Sequence, residues 1–209
     1  MFDIDGTLVE SYEFDSNCYA SAVKEVVGIS IDEDWSNYKH VTDAGILNEV
    51  IEQNNLNVYK NNLIDAVKKK FFSNVREYIQ HNPVKEIPGA SSFVSKLRSM
   101  DNIVVSFATG GWHESAILKL NSAGFDTNSI PIGSSDDHFS RTKIMKIAEA
   151  QVNNSNNNCP ITYFGDGIWD KKACKELGYN FVLVGDKFEY SKNINNFKSA
   201  DDAFSHIGL

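Results

Sequence analysis

Short apolar segments that alternate with helical patterns constrain the fold of this chain more than any other feature. From about residue 86 onward, apolar runs with high β propensity occupy residues 103–108, 161–164 and 181–184. Beside these runs, apolar residues recur at helical spacing over residues 90–97, 116–123, 144–148 and 169–177. Strands that are apolar on both sides need helices on both faces, which is typical of parallel sheets. We therefore predict an α/β fold with a Rossmann-like parallel sheet, in which ligands bind at the carboxyl ends of the strands.

Residues 12–84 show no strand signal of comparable strength and carry helical patterns instead. Apolar stripes follow helical spacing over residues 14–27, 46–51 and 64–78. Three consecutive stripes of this kind predict an all-helical unit. We expect an all-helical domain at residues 12–84, inserted after the first strand of an α/β domain that is formed by residues 1–11 and 85–209.

The first strand of the α/β domain is unusually short. A central strand contributes about five residues, yet only Met1 and Phe2 precede the first acidic residue. Two explanations are open. Either Ile4 and its neighbours complete the strand, or the native start of the protein lies upstream of Met1, and we favour the second explanation.

Two carboxylates stand at the end of this strand, in the segment Asp3-Ile4-Asp5-Gly6-Thr7. Alternate residues of an extended chain point to the same side, so Asp3 and Asp5 can face one site. A carboxylate such as Asp3 can attack phosphorus and form an aspartyl-phosphate, which divides one difficult displacement into two easier ones. The second carboxyl group, Asp5, can protonate the leaving oxygen and later take a proton from water. Gly6 allows the backbone to turn close to the phosphate that these groups would bind.

Two further strand ends carry groups that suit the same chemistry. Asp166 and Asp170 follow the second apolar strand, and carboxylate oxygens from two such loops form a hard site suited to Mg²⁺. The metal ion would offset the repulsion between a nucleophilic carboxylate and the phosphate. Thr109 and Gly110 end the first apolar strand, where a hydroxyl group and free amides can bind phosphate oxygens.

A basic residue from the helix after residue 139 completes this set of groups, and two residues are candidates for it. Arg141 and Lys143 are two residues apart, which is about 200° around a helix, so only one of them can face the phosphate. Arg141 shares its side with Ile144 and Ala148, which we expect to pack on the sheet. We favour Arg141, whose charge would stabilise the negative charge of the nucleophile and the phosphate, and we keep Lys143 as the alternative.

These motifs resemble those of the haloacid dehalogenase superfamily, in its phosphatase branch. The family's Asp-x-Asp-Gly-Thr motif, its Ser/Thr, its Lys/Arg and its Gly-Asp-x-x-x-Asp motif can be placed in this order across essentially the whole chain. The first and fourth motifs are highly specific, and the middle two are weak by themselves. The helical insertion is similar to the family's helical cap, a layout that phosphoglycolate phosphatases and β-phosphoglucomutases share.

The resemblance implies a role for each motif residue. Asp3 would be the nucleophile, and Asp5 would be the general acid and base. Asp166 would bind Mg²⁺ directly, together with the Asp3 carboxylate and the Asp5 backbone carbonyl, while Asp170 would hold a metal-bound water. The implied activity is the Mg²⁺-dependent hydrolysis of a small phosphate monoester, under a cap that excludes bulk water.

The motifs leave the acceptor of the phosphoryl group open. A phosphatase transfers it to water, whereas a phosphomutase of the β-phosphoglucomutase type transfers it to a sugar hydroxyl. Dehalogenase and phosphonatase activities are disfavoured, because those branches lack a carboxylate at the position of Asp5. A phospho-acceptor signalling domain needs neither a cap nor Asp5 at this spacing, and a non-catalytic binding protein is expected to have lost a motif residue.

Composition limits the partners and the location of the protein. Its 209 residues carry a net charge of −8, which offers no basic stripe for nucleic acid, so we expect a small phosphorylated metabolite as partner. No apolar run approaches the ~20 residues that cross a bilayer. Cys18, Cys159 and Cys174 show no paired spacing, which suits a reducing compartment, and we expect all three to be buried. We predict a cytoplasmic monomer or dimer.

Three further segments have both a functional and a structural interpretation. Residues 111–113, Gly-Trp-His, follow the predicted phosphate-binding threonine and could line the pocket or begin a helix. Asp136 and Asp137 could add to the metal site or cap a helix. The Ala-Thr-Gly-Gly-Trp and Ser-Asp-Asp segments resemble a phosphatase subgroup whose substrates the resemblance does not specify. Residues 39–43 could discriminate between substrates or form a surface loop.

Overall fold

A computed structural model describes residues 1–152 and 159–207. Residues 153–158 and 208–209 lie outside the described residues. The strands are β1 (Phe107–Ala108), β2 (Ile132–Gly133), β3 (Thr162–Gly165), β4 (Asn180–Val184) and β5 (Asn193–Ile194). The α-helices are α1 (Tyr12–Val27), α2 (Asp43–Gln53), α3 (Lys60–His81), α4 (Ala90–Arg98), α5 (His113–Ser122), α6 (Arg141–Val152), α7 (Ile168–Leu177) and α8 (Ala200–Ser205).

One parallel sheet forms the centre of the molecule. β1 pairs with β2, β3 with β4, and β4 with β5, all in parallel. The two groups of strands join through the first residues of the chain, because Phe2 forms parallel bridges to both Phe107 and Phe164. The amide of Asp3 also donates to the carbonyl oxygen of Phe164 at 2.9 Å. The order across the sheet is therefore β2, β1, the segment 1–3, β3, β4 and β5.

Alternate residues of the strands point into two separate apolar layers. Phe107 and Phe164 pack in one layer with the buried residues of α4 and α5. Their neighbours Ala108 and Tyr163 pack in the other layer, with the buried residues of α6 and α7. Helices thus cover both faces of the sheet, and the predicted Rossmann-like α/β fold is confirmed.

The segment between residues 12 and 84 contains only helices, which pack on one another and on the sheet domain. The ring of Phe14 in α1 stacks on that of Tyr78 in α3, with centroids 4.3 Å apart. Tyr19 and Phe71 pack edge to face at 5.7 Å. Both rings also contact Trp112, in the loop after β1, at 5.9 and 5.7 Å. The apolar interior of the helical segment is therefore continuous with one layer of the α/β core.

The strand predicted over residues 103–108 is wrong in its length. Only Phe107 and Ala108 form β1, and Val104 is 67% exposed. On one side β1 is paired with β2, which spans two residues, and on the other side the bridge from Phe2 reaches only Phe107. Residues 103–105 therefore have no ladder partner within the described part of the chain.

Ile4 does not lengthen the short first strand. The carbonyl oxygen of Ile4 accepts hydrogen bonds from the amides of Thr7, Leu8 and Val9, at 3.2, 2.9 and 3.2 Å. The chain therefore turns directly after Asp3, and this turn carries the Asp-Gly-Thr part of the first motif.

The environment of the cysteines differs from the prediction. All three thiols are free, with Cys174 buried and Cys18 partly buried. Cys159 is exposed, because it lies in the loop before β3 and not on a strand or helix face. Within residues 1–152 and 159–207, no helix is both long and apolar enough to span a membrane.

Candidate active site

Five side chains that the sequence singled out converge at the carboxyl edge of the sheet. Asp3 ends the central segment, Thr109 directly follows β1, and Asp166 directly follows β3. Arg141 is the first residue of α6, and Asp170 lies in the first turn of α7. Parallel strands all end at the same edge of a sheet, so the residues that follow them meet there.

Asp3 is almost completely enclosed, with 4% of its surface exposed. Burial raises its pKa well above the usual value, and Asp170, Asp166 and Asp5 raise this pKa further by repulsion. Arg141 acts in the opposite direction and lowers the pKa of Asp3. A cation that binds beside an enclosed carboxyl group with three acidic neighbours lowers its pKa and so favours the ionised form.

The fourth motif supplies the groups from which a metal site can be built. One carboxylate oxygen from each of Asp3, Asp166 and Asp170 lies within 4.8 Å of the other two, and all three residues are buried. Gly6, with a φ of 76°, brings the first loop so close to Asp166 that a Cβ at Gly6 would collide with the Asp166 carboxylate. Burial raises the pKa of Asp166 to about 6, although Lys187 lowers it. Carboxylate oxygens are ligands that Mg²⁺ prefers. A divalent cation among these three buried carboxylates would also offset their mutual repulsion.

Asp170 is already engaged by groups of the protein. Its Oδ1 lies 2.9 Å from Nη1 of Arg141 and 3.3 Å from the hydroxyl of Tyr163. Its Oδ2 accepts the amide hydrogen of Gly167 at 3.0 Å. Because both of its oxygens are occupied, Asp170 is suited to orienting Arg141. It also adds negative charge close to the carboxylates of Asp3 and Asp166.

Arg141 reaches into the site, whereas Lys143 is exposed on another side of α6. Nη1 of Arg141 lies 3.5 Å from Oδ1 of Asp3, and Nη2 donates to the carbonyl oxygen of Val41 at 3.1 Å. The loop after β1 packs closely on this guanidinium, because a Cβ at Gly110 would collide with it. The buried Nε of Arg141 has no acceptor among the described residues, so the side chain retains capacity to bind an anion.

Asp5 belongs to a second ionic cluster, which links the first motif to the helical segment. Lys119 of α5 is fully buried, and its Nζ lies 2.5 Å from Oδ1 of Asp5 and 2.5 Å from Oδ1 of Asp15 in α1. The hydroxyl of Ser11 donates to the same oxygen of Asp5. Burial raises the pKa of Asp15 to about 6, against the lowering effect of Lys119. These contacts occupy Oδ1 of Asp5 and leave out its Oδ2.

The loop after β1 brings a hydroxyl group and free backbone to the same place. Thr109 is buried, and its Oγ1 accepts the amide hydrogen of Gly111 at 3.0 Å. A Cβ at Gly111 would lie 3.5 Å from Oδ2 of Asp5, 3.5 Å from Oγ1 of Thr109 and 3.8 Å from Oδ2 of Asp43. Three polar oxygens therefore surround this one backbone position.

The start of α2 is hydrogen-bonded to the loops of the α/β domain. The amide of Asp43 donates to the carbonyl oxygen of Gly110 at 2.8 Å, and its Oδ2 accepts the amide hydrogen of Trp112 at 2.9 Å. The hydroxyl of Thr42 donates to the carbonyl oxygen of Phe139 at 2.7 Å. The end of the segment 39–43 is thus part of the site, whereas Lys39 is exposed.

The acidic pair at residues 136–137 stays outside the carboxylate cluster. Asp136 pairs with Lys68 of α3 and accepts the amide hydrogen of His113 at 2.8 Å. Asp137 accepts the amide hydrogen of Ser134 at 2.8 Å. The structure therefore gives these two acids positions in a turn and in a contact with α3.

Three charged residues of the site were not identified from the sequence: Lys119, Asp15 and Lys187. Nζ of Lys187 lies 2.5 Å from Oδ2 of Asp166 and 3.5 Å from the ring centroid of Tyr12. The available signal was weak. Lys119 interrupts the apolar stripe of α5, and a lysine at a buried position is rare unless it is paired.

A cavity lies between the sheet edge and the helical segment. This cavity is lined by Asp3, Asp5 and Thr109 at the sheet edge and by Tyr19, Trp35 and Asp43 of the helical segment. Because residues of both parts of the chain form its wall, a bound molecule would contact the α/β domain and the helical segment together.

Comparisons with known proteins identify relatives of the chain. The sequence profile of the haloacid dehalogenase-like hydrolases matches residues 1–184. CbbY from Rhodobacter sphaeroides, solved in complex with phosphate, is 13% identical, with a TM-score of 0.71 over 100% of this chain and 97% of that chain. β-Phosphoglucomutase from Clostridium difficile is 16% identical, with a TM-score of 0.71 over 99% and 95%. A hydrolase from Pseudomonas syringae is 21% identical, with a TM-score of 0.70 over 91% and 86%.

These results differ in what they establish. No curated protein matches the chain significantly, and the solved structures, at such low identities, establish the fold alone. The profile match carries more weight, because it begins before Asp3, ends after Asp170 and so includes all four predicted motifs. Since this match covers residues 1–184 of 209, the chain belongs to the family of haloacid dehalogenase-like hydrolases.

Proposed function

We propose that this protein is a Mg²⁺-dependent phosphatase, which hydrolyses a small phosphate monoester through an aspartyl-phosphate on Asp3. The observation that carries the proposal is the grouping of carboxylate oxygens from Asp3, Asp166 and Asp170 within 4.8 Å of one another, with Arg141 beside Asp3. Membership of a hydrolase family supports the reaction type. The shared fold of CbbY, which was solved with phosphate, supports phosphate as the recognised group.

Asp3 supplies the nucleophile in this proposal. One of its carboxylate oxygens attacks phosphorus, so that a new P–O bond forms to Asp3 while the bond from phosphorus to the ester oxygen breaks. Mg²⁺, held by the carboxylates of Asp3 and Asp166 and the backbone carbonyl of Asp5, would offset the repulsion between the two anions. Arg141 balances the negative charge that Asp3 and the transferred group share.

The phosphate oxygens need donors that the loop after β1 can supply. The hydroxyl of Thr109 and the amide of Gly110 lie at the carboxyl end of β1, where such groups commonly bind anions. Gly6 keeps the first loop next to Asp166, so that the phosphate and the carboxylates can share a small space.

Asp5 carries the protons of both half-reactions. Its Oδ1 is occupied by Lys119 and Ser11, so we assign proton transfer to Oδ2. This oxygen protonates the leaving alcohol. It then takes a proton from the water molecule that attacks the aspartyl-phosphate, which releases inorganic phosphate and restores the Asp3 carboxylate.

The helical segment at residues 12–84 acts as the cap of a core formed by residues 1–11 and 85–209. Its purely helical content supports this division, as does the bonding of Asp43 to the loop after β1. A cap in this place excludes bulk water from the reacting groups and contacts the alcohol part of the ester. The partner is accordingly a small phosphorylated metabolite.

Release of phosphate from p-nitrophenyl phosphate tests the proposed function. The wild-type protein should be active with Mg²⁺ and inactive in EDTA. Asp3→Asn should lower kcat by about 10³-fold or more, because the variant lacks the nucleophile. Asp65→Asn, at an exposed position of α3, is the matched control and should retain wild-type activity. Activity that survives in Asp3→Asn would refute the nucleophile assignment.

The same preparation separates a phosphatase from a phosphomutase. A phosphatase releases inorganic phosphate from a hexose 1-phosphate or leaves that ester unchanged. A phosphomutase converts the hexose 1-phosphate to its 6-phosphate, which is detected by coupling to a 6-phosphate dehydrogenase. Formation of the 6-phosphate without release of phosphate would overturn the phosphatase proposal.

A further inference from the structure

The part of the cavity wall that the helical segment supplies has a distinct chemical character. Two aromatic residues, Tyr19 and Trp35, and two acidic residues, Asp15 and Asp43, belong to it. Both aromatic side chains are buried. We call these four residues the cap wall. In the proposed function the phosphate binds at the sheet edge, so the cap wall meets the alcohol part of the ester.

The cap wall offers no cation to a second anionic group of a substrate. Within the described part of the chain, Arg141 is the one cation that lines the cavity, and its guanidinium already contacts Asp3, Asp170 and the carbonyl oxygen of Val41. Lys119 is fully buried, and its ammonium is shared between Asp5 and Asp15. A carboxylate or second phosphate on the substrate would therefore face uncompensated negative charge.

Asp43 is an acidic group without a counter-ion. Among the described residues, no lysine, arginine or histidine nitrogen lies within 4.0 Å of its carboxylate oxygens. The one hydrogen bond that its side chain accepts comes from the neutral amide of Trp112, at 2.9 Å. Burial raises the pKa of Asp43 well above its usual value, Asp15 raises it further, and Lys119 lowers it. A carboxylate in these surroundings is stabilised most by a positively charged partner.

Asp43 also lies close to the oxygen that would protonate the leaving alcohol. Oδ2 of Asp5 and Oδ2 of Asp43 lie 3.5 and 3.8 Å from the position of a Cβ at Gly111, so they flank the same point. The hydroxyl of Tyr19 donates to the backbone carbonyl of Asp43 at 2.6 Å and fixes this arrangement. The two oxygens are therefore at most 7.3 Å apart, so a substrate that contacts both of them has a short alcohol part.

We propose that the substrate is the phosphate ester of a short amino alcohol, and that its ammonium group binds to Asp43 beside the rings of Tyr19 and Trp35. This inference rests on the proposed phosphatase function and adds the class of the leaving group. The ammonium forms charge-assisted hydrogen bonds with Asp43, and aromatic rings within about 6 Å attract it further. Esters whose alcohol part carries an anion are repelled by Asp43.

Three phosphate esters of similar length, which differ in the charge of the leaving group, test which charge the site prefers. O-Phosphoethanolamine carries an ammonium, propyl phosphate is neutral at that position, and 2-phosphoglycolate carries a carboxylate. We expect kcat/KM, measured as phosphate release with Mg²⁺, to be about 10–100-fold higher for O-phosphoethanolamine than for propyl phosphate, the range expected for a hydrogen-bonded charged group. The value for 2-phosphoglycolate should fall below that for propyl phosphate.

Asp43→Asn tests the residue itself. The amide oxygen of asparagine can still accept the hydrogen bond from Trp112, so the link to the loop after β1 is retained while the charge is removed. The ratio of kcat/KM between O-phosphoethanolamine and propyl phosphate should fall to about one in this variant. Asp65→Asn, which removes an exposed charge of α3, should keep the wild-type ratio.

The outcomes separate this inference from the function on which it rests. Equal or better hydrolysis of propyl phosphate by the wild-type protein overturns the inference, and this test needs no variant to fold. An unchanged ratio in a folded Asp43→Asn protein overturns the role of Asp43. If neither these esters nor p-nitrophenyl phosphate is hydrolysed, the proposed function fails and the inference fails with it. If p-nitrophenyl phosphate alone is hydrolysed, only the inference fails.

Discussion

Replacement of Lys119 by methionine should destabilise the protein strongly, because Lys119 is the one cation, among the residues that the structure describes, that pairs with the enclosed carboxylates of Asp5 and Asp15. The ammonium of Lys119 is 0% exposed, and its partners Asp5 and Asp15 are 16% and 15% exposed. Removing one partner from a buried ion pair costs about 3–5 kcal/mol. The protein can limit this cost by protonating Asp15.

The loss of unfolding free energy in Lys119→Met should be smaller at lower pH. Burial already raises the pKa of Asp15 to about 6 in the native protein, and the loss of the lysine raises this pKa further. A carboxyl group whose pKa is higher in the folded state destabilises the protein as the pH rises through that pKa. Lowering the pH from 7 to 5.5 should therefore reduce the difference between variant and wild type by about 1–2 kcal/mol. The wild-type protein also gains some stability between pH 7 and pH 5.5, because its Asp15 takes up protons in this range. That part of the gain is the same in both proteins and does not change the difference between them.

Urea unfolding followed by tryptophan fluorescence, at pH 7 and pH 5.5, measures both effects. Lys143→Met is the matched control, since Lys143 is exposed on α6, and it should change the free energy of unfolding by less than about 0.5 kcal/mol. The double variant Lys119→Met with Asp15→Asn should be more stable than Lys119→Met alone, because one unpaired carboxylate is gone. A loss below about 1 kcal/mol at pH 7, or an equal loss at both pH values, would refute the reasoning.

Three further perturbations test the site. Arg141→Ala should lower kcat for p-nitrophenyl phosphate by about 10²-fold or more, as expected when a charge that stabilises the transition state is lost, and Lys143→Ala should stay within about twofold in the same assay. Lys187→Met should tighten Mg²⁺ binding in isothermal titration calorimetry by about threefold, since it removes a cation 2.5 Å from Asp166 whose exposure screens its effect; weaker binding would contradict this. Gly6→Ala forces a side chain onto a residue with positive φ and against Asp166, so it should lower the free energy of unfolding by about 1–3 kcal/mol and abolish phosphate release. Wild-type stability and activity in this variant would disprove the close approach of the two loops.

The parts of the fold that the sequence predicted are those with a short repeating pattern. The spacing of Ile144 and Ala148 assigned the buried face of α6, and the same spacing distinguished Arg141 from Lys143. The alternation of β3 and β4 with helices predicted a parallel sheet, and a parallel sheet brings the residues after its strands to one edge. Local patterns were less informative where pairing depends on a distant partner. The length of β1 is limited by its neighbours, so residues 103–105 look like a strand and have no ladder partner among the described residues.

The second ionic cluster lay outside the reach of sequence patterns for a different reason. Lys119 and Asp15 are 104 residues apart and lie on helices of the two predicted domains. No spacing rule connects them, because their meeting depends on how α1 sits against α5. Asp43 was recognised only as part of a polar segment for the same reason. Its significance follows from the absence of a neighbouring cation within the described residues, which is a property of the packed structure.

The contacts of residues 41–44 suggest why catalysis and substrate choice belong to one closed arrangement. The carbonyl oxygen of Val41 binds Arg141, Asp43 is bonded to the loop after β1, and the amide of Ala44 binds the hydroxyl of Ser135 at 2.8 Å. Opening the cavity to admit a substrate therefore breaks bonds to the same loops that would hold the phosphate. In the proposed function, closure over a substrate whose ammonium reaches Asp43 would restore these bonds and add an ionic contact, so the correct ester would stabilise the state in which Arg141 lies beside Asp3. When the cavity closes over a substrate without an ammonium group, the negative charge of Asp43 would have no positive partner. This difference between the two kinds of substrate is the physical basis of the proposed selectivity.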